Sequence, residues 1–451
     1  MADVQTSLYQ VIQSLLESKK YSTLRDMLST LNPVDIAAVF QDLPELSLPL
    51  LFRLLPKELA ADAFVEMDED AQELLIKGFS DRELKDVVNE LYVDDAVDLV
   101  EEMPASVVKR ILQQTSPDMR KMINEILKYP EDSAGSIMTI EYVSLRPKMT
   151  VDEALQRIRR TGVDKETIYT CYVTSEDRRL LGIVTAKSLL LTPGDARIED
   201  IMEDNVISVN TFTDQEQVAL MFNKYGFLAL PVVDQEDRLV GIVTVDDAID
   251  VMTEETTEDI EKMAAIVPSD KPYLKTGIFA TYRQRIPWLL ILMISATFTG
   301  LIIQSFESAL AVVPALIAFI PMLMDSGGNS GSQASVTVIR GLSLNEIEFS
   351  DLPRVLWKEF RVAILCSATL VAANFVKLLL IDRVSLQVDL VVCLTLFCVI
   401  IIAKLVGCSL PMFAKKLKLD PAVMASPFIT TIVDALALLT YFAIAATIIG
   451  L

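Results

Sequence analysis

The sequence predicts a multidomain protein with an all-α N-terminal superhelix, a duplicated α/β unit, a connecting helix and a five-helix α transmembrane domain. A change of charge along the chain supports this prediction. Residues 1–270 contain 52 Asp and Glu against 26 Lys and Arg, whereas residues 271–451 contain 10 against 14 and consist mainly of long apolar segments. An acidic half followed by an apolar, weakly basic half is typical of a cytoplasmic module joined to a membrane domain.

The composition also excludes several functions. The chain has no histidine, which excludes Ser-His-Asp catalysis, Cys-His catalysis and histidine-ligated zinc. It has no phosphate-binding loop of the GxxxxGKS or GxxxxGKT type, so we expect neither an ATP-driven pump nor an enzyme. Five cysteines without a CxxC pair indicate buried thiols in a reducing compartment. The excess of carboxylates argues against a nucleic acid partner and favours cations.

Residues 1–130 are predicted to form an acidic helical N domain. Their apolar residues recur at helical spacing and are interrupted by helix-starting signals, for example at Asn32-Pro33, Ser80-Asp81 and Ser116-Pro117. Short amphipathic helices in series predict a superhelix. The first residues lack the basic and apolar segments of a signal peptide, so we expect residues 1–270 to remain in the cytoplasm.

Residues 131–253 contain a sequence repeat, with copies at 131–199 and 200–253. Each copy has a β-rich run, a polar turn and a Leu-x-Gly-Ile-Val-Thr sequence, which ends at Thr185 in the first copy and at Thr244 in the second. A strand, a helix, two strands and a closing helix, present twice, predict a paired α/β unit. This duplicated arrangement resembles a tandem CBS pair.

Five long apolar segments follow residue 286, and each is long enough to cross a bilayer. They predict a transmembrane domain at 281–451, preceded by a connecting helix at 254–280, with the second segment beginning at Ser308. Lys and Arg are concentrated before the first segment and in the second and fourth loops, so the N-terminal domains are expected in the cytoplasm and Leu451 outside a plasma or inner membrane. We expect Lys404 to extend toward the inner face.

Two features of the apolar segments predict an ion path. Asp434 lies near the middle of the last segment, where a carboxylate is costly unless it meets a cation or lines a path. The second segment contains Asp325, Gly328 and Asn329 in a run of small and polar residues, which indicates either close helix packing or a pore lined by oxygen atoms. Such oxygen ligands suit Mg²⁺ or Ca²⁺ and not copper or zinc.

Acidic runs in the soluble half form a second set of candidate metal ligands. A single acidic run is ordinarily a solvated helix face, but several runs close to a membrane cation path favour weak, partly hydrated magnesium-sensing sites. The candidate ligands are Asp94, Asp95, Asp98, Asp246, Asp247, Asp250, Glu254, Glu255 and Glu258.

The whole order of parts resembles the MgtE family of magnesium channels. The matching residues are the 129–139 junction, the 321–333 run, and Asp420, Pro427, Thr430 and Asp434 around the last segment. The resemblance implies a homodimer in a lipid bilayer that imports Mg²⁺, with Asp434 as the pore carboxylate and Asp420 at the inner mouth. The implied pore-lining residues are Asp325, Gly328, Asn329, Pro427 and Thr430.

The same resemblance implies gating by cytoplasmic Mg²⁺. A plug helix from about Glu254 to Lys275 would close the inner mouth. The implied cytosolic magnesium ligands are Asp247, Asp250, Glu255 and Glu258, which Asp94, Asp95 and Asp98 would face from the N domain. Co²⁺, Ni²⁺ and Mn²⁺ are further candidate ions.

CBS pairs also bind adenosine nucleotides, through an acidic residue three positions after the threonine of the Gly-Ile-Val-Thr sequence. The second copy has this pair, Thr244 and Asp247, whereas the first copy has Ser188 at the acidic position. One ATP site is therefore a candidate, and two are not expected.

Two other functions are compatible with the sequence. A proton-coupled divalent-cation carrier would use Asp434 as a proton relay. A membrane sensor that bears CBS domains and transports nothing would signal through its cytoplasmic half, although a mere anchor has no need of the glycine-rich second segment.

Overall fold

The computed structural model describes residues 2–269, 273–424 and 426–449. The chain divides into two compact units, residues 1–252 and residues 253–451. The first unit contains the helical N-terminal part and the duplicated α/β part, and the second contains the apolar helices.

The N-terminal part is all-helical over its described residues, as the sequence predicts. The helices are short because side-chain caps and prolines restart them: Asn32 Oδ1 accepts from the Val34 N–H at 3.2 Å, and Ser80 and Glu83 form a capping box. The helices are α1 (Ala2–Glu17), α2 (Tyr21–Leu28), α3 (Pro33–Asp42), α4 (Leu48–Phe52), α5 (Lys57–Val65), α6 (Glu69–Gly78), α7 (Asp81–Val88), α8 (Val93–Glu102), α9 (Ala105–Gln114) and α10 (Pro117–Ile126).

The two copies of the repeat form matching three-stranded sheets, which confirms the predicted α/β pair. In each sheet the first strand is parallel to the second, and the second is antiparallel to the third. The first copy contains β1 (Ser144–Leu145), α11 (Val151–Thr161), β2 (Thr170–Thr174), β3 (Leu180–Thr185), α12 (Ala186–Leu191) and α13 (Ile198–Ile201). The second contains β4 (Val209–Asn210), α14 (Gln215–Tyr225), β5 (Ala229–Val233), β6 (Leu239–Thr244) and α15 (Val245–Met263).

The segment before β1 contacts the second copy, although the sequence analysis assigns it to the first. Ser133 forms a bridge with Asp214, and the Thr139 N–H donates to the Ile242 carbonyl oxygen at 2.8 Å. The bond to Ile242 satisfies a backbone group on β6, the edge strand of the second sheet. The segment before β1 therefore packs on the second copy.

The connecting helix differs from its prediction at both ends. α15 runs from Val245, directly after β6, to Met263, so it includes the closing helix of the second copy. It ends there because Ala265 adopts a left-handed backbone (φ 54°) and the Ile266 N–H closes on the Glu261 carbonyl oxygen at 2.9 Å. The helix therefore stops well before Lys275, and part of the predicted extension, 270–272, lies outside the described residues.

The second unit has five long helices among its described residues. Four helical stretches have the length and apolar composition of a membrane span: Ile278–Ser305, Phe349–Asp382, Leu386–Lys416 and Ala422–Ile449. The fifth long helix is α18, which has 24 residues and contains the polar run. The helices are α16 (Ile278–Ser305), α17 (Glu307–Val312), α18 (Ile320–Ser343), α19 (Leu352–Lys377), α20 (Leu386–Lys416) and α21 (Ser426–Ile449).

The sequence predicts one continuous apolar segment from Ser308, but the structure divides this segment into two helices. α17 ends at Val312, and a 3₁₀ turn at Pro314–Phe319 separates it from α18. Proline at the start of the turn and at the start of α18 lacks an N–H for a continuous helix, so the break follows from the local sequence.

Glycines of α18 allow close packing against its neighbours. A Cβ added to Gly407 of α20 would clash with the Gly331 carbonyl oxygen, and one added to Gly327 would lie 2.7 Å from Val399. Helix packing, one of the two predicted roles of this run, therefore accounts for Gly327 and Gly331.

Lys404 is buried inside the second unit; that it extends toward the inner face stays a prediction. Its side chain is 6% exposed, and its Nζ lies 3.9 Å from Glu359 Oε2 of α19. A charge buried to this degree requires a partner of opposite sign, so Lys404 and Glu359 form an ion pair between α20 and α19.

Candidate functional site

A cavity of about 460 Å³ in the second unit lies between α18 and α21. It brings together most of the predicted pore residues: its lining consists of Ile320, Pro321, Met324, Asp325, Gly328, Asn329, Thr430 and Asp434. Asp325 and Asn329 are exposed one helical turn apart on α18, and Thr430 and Asp434 are one turn apart on α21. Two helices therefore each present a carboxylate and a neutral oxygen ligand.

The packing of α18 on α21 positions these groups. Thr430 lies against Gly328, where an added Cβ would approach the Thr430 Cγ2 to 3.0 Å. The Thr430 hydroxyl donates to the Pro427 carbonyl oxygen at 2.9 Å. Pro427, one turn before Thr430 at the start of α21, is not among the residues that line this cavity, and its role in the pore stays a prediction.

The two carboxylates of the cavity repel each other across it. Among the described residues, neither Asp325 nor Asp434 has a hydrogen-bond or ion-pair partner that would offset this repulsion, and the rest of the cavity lining is apolar or neutral. A cation between them offsets the repulsion, and a divalent cation does so more strongly than a monovalent one.

Asp420 lies in the loop that precedes α21. Its Oδ1 accepts from the Ala422 N–H at 2.8 Å, and its Oδ2 lies 2.7 Å from the Lys262 Nζ. Glu258 also reaches Lys262, at 2.6 Å. The predicted ligands Asp420 and Glu258 are thus brought together by a lysine that the sequence analysis did not consider.

A group of carboxylates in the first unit, which we call the acidic cleft, lies between α8 and the start of α15. The acidic cleft consists of Asp94, Asp95, Asp98, Glu166, Asp246 and Asp247. Asp94, Asp95 and Asp98 of the N domain lie within the electrostatic reach of Asp247. That these carboxylates bind Mg²⁺ stays a prediction. It also places Glu66, at the end of α5, near the exposed Asp246 and Asp250.

Removal from water and the charges of neighbouring carboxylates raise the pKa values of Asp94, Asp95, Asp98 and Asp247. Burial, then neighbouring carboxylates, raises the pKa of Asp95 to about 7 and that of Asp247 to about 6. Burial, then the charges of Asp247 and Asp95, raises the pKa of Asp98 to about 8. Asp94 is 8% exposed, and its Oδ1 accepts no hydrogen bond in the part of the chain described.

Glu166 is the functional candidate that the sequence analysis missed. Burial and the charges of Asp95, Asp246 and Asp247 raise its pKa to about 8, and its Oε2 is buried without a hydrogen-bond partner among the described residues. No acidic run marks it, because it lies between Lys165 and Thr167 in the loop before β2. Only the fold brings it to the acidic cleft.

The remaining predicted ligands are more dispersed. Glu254 is exposed and Glu255 half-buried on the part of α15 that belongs to the second unit. Over residues 2–269, 273–424 and 426–449, no group of three or more Cys, Asp or Glu side chains converges closely enough to bind a bare metal ion.

The candidate nucleotide residues are already bonded to each other. Asp247 Oδ2 accepts from the Thr244 hydroxyl at 2.5 Å and from the Thr244 N–H at 3.3 Å. In the first copy the Thr185 and Ser188 hydroxyls lie 2.9 Å apart. Asp247 thus belongs both to the candidate ATP site and to the acidic cleft.

Family models match most of the chain. The models are the MgtE intracellular N domain at residues 11–132, the CBS domain at 134–193 and 198–254, and MgtE, described as a divalent cation transporter, at 320–444. The chain is 36% identical to the magnesium transporter MgtE of Thermus thermophilus over 442 residues, which covers 96% of this chain and 97% of that protein. It is 34% identical to the magnesium transporter MgtE of Bacillus subtilis over 439 residues, with 96% of each covered.

Two solved structures are similar to about half of the chain. One is the cytosolic domain of the Mg²⁺ channel MgtE in complex with ATP, with 36% identity and a TM-score of 0.52 over 54% of this chain and 99% of that chain. The other is the soluble part of a magnesium transporter, with 32% identity and a TM-score of 0.52 over 56% of this chain and 99% of that chain. Since relatives at 34–36% identity align with nearly its whole length, the chain belongs to the MgtE family of divalent cation transporters.

Proposed function

We propose that this protein is a Mg²⁺-selective channel that imports magnesium as a homodimer. The observation that carries the proposal is the cavity in which Asp434 of α21 and Asp325 of α18 face each other beside Asn329 and Thr430. Two relatives that match nearly the whole chain are named magnesium transporters, which supports Mg²⁺ as the transported ion.

The charge of the cavity accounts for a preference for divalent ions. A dimer would repeat Asp434 across its two-fold axis, and like charges brought together there are stabilised by a divalent cation between them. Mg²⁺ loses its water reluctantly, so the ion would be held largely through its waters by the carboxylate, amide and hydroxyl oxygens. Co²⁺, Ni²⁺ and Mn²⁺ accept similar ligands and are candidate competitors.

Ion flux through the purified protein tests this function. In liposomes with an imposed voltage, we expect Mg²⁺ entry that persists when the proton gradient is abolished, because an open path requires only the electrochemical gradient of Mg²⁺. Entry that requires a proton gradient would instead favour the proton-coupled carrier. A complete lack of Mg²⁺ entry, with the protein folded, would favour the membrane sensor.

We further propose that cytoplasmic Mg²⁺ closes the channel through the acidic cleft. The cleft joins carboxylates of α8 to those of α15, so bound Mg²⁺ would convert repulsion between the two modules into attraction. A ligand shifts such an equilibrium only through its different affinity for the two states, so several weak sites acting together would produce a steep response.

The orientation of the protein in a plasma or inner membrane is testable by accessibility. The N-terminal unit is proposed to be cytoplasmic and Leu451 to lie outside. The reason is that Lys and Arg are concentrated before the first apolar segment and in the second and fourth loops between the segments. A tag after Leu451 should be labelled on intact cells, and a tag after Met1 only after the cells are opened. Labelling of both tags on the same side would refute an odd number of spans.

An adenosine nucleotide is a candidate second ligand. A solved relative of the first unit contains ATP, and the Thr244–Asp247 pair of this chain has the expected side-chain types. Because Asp247 also belongs to the acidic cleft, ATP and regulatory Mg²⁺ would act on the same carboxylate.

A further inference from the structure

Lys262 joins the end of α15 to the loop before α21. Its Nζ lies 2.7 Å from Asp420 Oδ2 and 2.6 Å from Glu258 Oε1. The side chain of Lys262 is 23% exposed and that of Asp420 34%, so the ion pair is largely shielded from bulk water. This is the geometry of charge-assisted hydrogen bonds rather than of a loose surface pair.

The neighbouring residues of α15 contact the same part of the membrane unit. The Ser343 hydroxyl of α18 donates to Asp259 Oδ2 at 3.2 Å. Met263 packs against Ile339 of α18 and Ala422 of the loop before α21. The last turns of α15 are therefore docked on the end of α18 and the approach to α21, the two helices that line the cavity.

We propose that Lys262 is a built-in cation that docks the end of α15 onto the inner mouth without Mg²⁺. This inference rests on the proposed function, since it assigns to one residue the part of channel closing that does not require the ion. Lys262 is a positioning residue: it acts on the ion path through Asp420 and the docked helix.

The charges at the docking point show why a cation is needed there. Glu258, Asp259 and Asp420 meet at one place: Lys262 contacts Glu258 and Asp420, and Asp259 follows Glu258 on α15. Docking three carboxylates without a cation is opposed by their repulsion. One ammonium offsets part of this repulsion and leaves a net negative charge, which cytoplasmic Mg²⁺ would then neutralise.

Lys262 supplies its positive charge from the chain itself. Its Nζ lies within hydrogen-bond distance of both Asp420 and Glu258, so it offsets part of their repulsion without a bound ion. Lys262 therefore sets a degree of docking that is present even when cytoplasmic Mg²⁺ is absent.

Currents from inside-out patches test the inference, with Mg²⁺ on the outer side and EDTA on the cytoplasmic side. Lys262→Met should raise the Mg²⁺ current at zero cytoplasmic Mg²⁺ by roughly tenfold, the effect of losing one to two charge-assisted hydrogen bonds. Saturating cytoplasmic Mg²⁺ should still close this variant. Lys262→Arg, which keeps the positive charge, should behave as wild type.

Lys358→Met is the matched control, because it removes an exposed positive charge from the start of α19 without contact to Asp420. If Lys262→Met and Lys358→Met give the same current at zero cytoplasmic Mg²⁺, the inference is wrong. A wild-type protein that carries no Mg²⁺ current would overturn the proposed function instead.

Amide hydrogen exchange of the full-length protein tests the docking itself without transport. In EDTA, the backbone of residues 253–263 should exchange faster in Lys262→Met than in wild type, and Lys358→Met should leave the exchange rate unchanged. Equal protection of this segment in all three proteins would overturn the inference even if the channel proved active.

Discussion

Replacing Asp434 with Asn should abolish selective Mg²⁺ transport while the protein still folds and reaches the membrane. Asn keeps the size and hydrogen-bonding capacity of the side chain but removes the charge at the centre of the cavity. Charged clefts raise local ion concentrations and association rates by roughly 10- to 10³-fold, so we expect a loss of flux in that range. The measurement is Mg²⁺ entry into liposomes, with Na⁺ entry recorded in parallel to follow selectivity.

Glu307→Gln is the control for this variant. Glu307 is exposed at the start of α17, in the loop after the first span, and it does not line the cavity. Removing it subtracts the same charge from the membrane unit, so wild-type flux is expected. Near-normal, Mg²⁺-selective flux through Asp434→Asn would refute the assignment of Asp434 as the pore carboxylate.

Neutralising Asp95, Asp98 and Asp247 together should remove the response of the protein to cytoplasmic Mg²⁺. The raised pKa values mean that the fold favours the protonated form of these carboxylates. Their contribution to the stability of the folded protein is therefore present below their unfolded pKa and is lost as the pH rises through about 6 to 8. Without the charges, repulsion disappears together with the reason for binding Mg²⁺. We therefore expect the variant in EDTA to resist proteolysis better than wild type, with no further protection from Mg²⁺.

The same variant should stay more open than wild type at high cytoplasmic Mg²⁺, because no ion bridges α8 and α15. Neutralising Glu90, Asp164 and Glu176, three exposed carboxylates outside the acidic cleft, is the matched control and should leave the Mg²⁺ response intact. If the acidic-cleft variant still closes as Mg²⁺ rises, its carboxylates are only a solvated surface and the proposed gating site is wrong.

The elements of this protein follow from local sequence to a large extent. Caps such as Asn32 and Ser80 begin helices, and the repeated Leu-x-Gly-Ile-Val-Thr sequence becomes the third strand of each sheet. These signals act over a few residues, through hydrogen bonds and side-chain alternation, so they can be read without the fold. The exception is α15: its end at Met263 depends on a left-handed residue, Ala265, which the sequence does not mark as a glycine would.

The membrane site was predictable in part. Asp434 stands out because a carboxylate within an apolar segment is costly, and that cost is a property of the sequence and the bilayer. The facing of Asp325 toward Asp434 depends instead on how α18 and α21 rotate against each other, which the contact of Gly328 with Thr430 decides. Pro427 is close to Thr430 in sequence, but only Thr430 lines the cavity.

The sequence by itself determined the order of domains, the acidic and apolar halves, and the family, because composition, repeats and isolated charges are read along the chain. Only the tertiary structure decided which charges meet. Glu166 reaches the acidic cleft from a loop without an acidic run, Lys404 finds Glu359 on another helix, and Lys262 reaches Asp420 across a long stretch of chain. Electrostatic energies depend on distance and burial, and both are set by packing between elements that are remote in sequence.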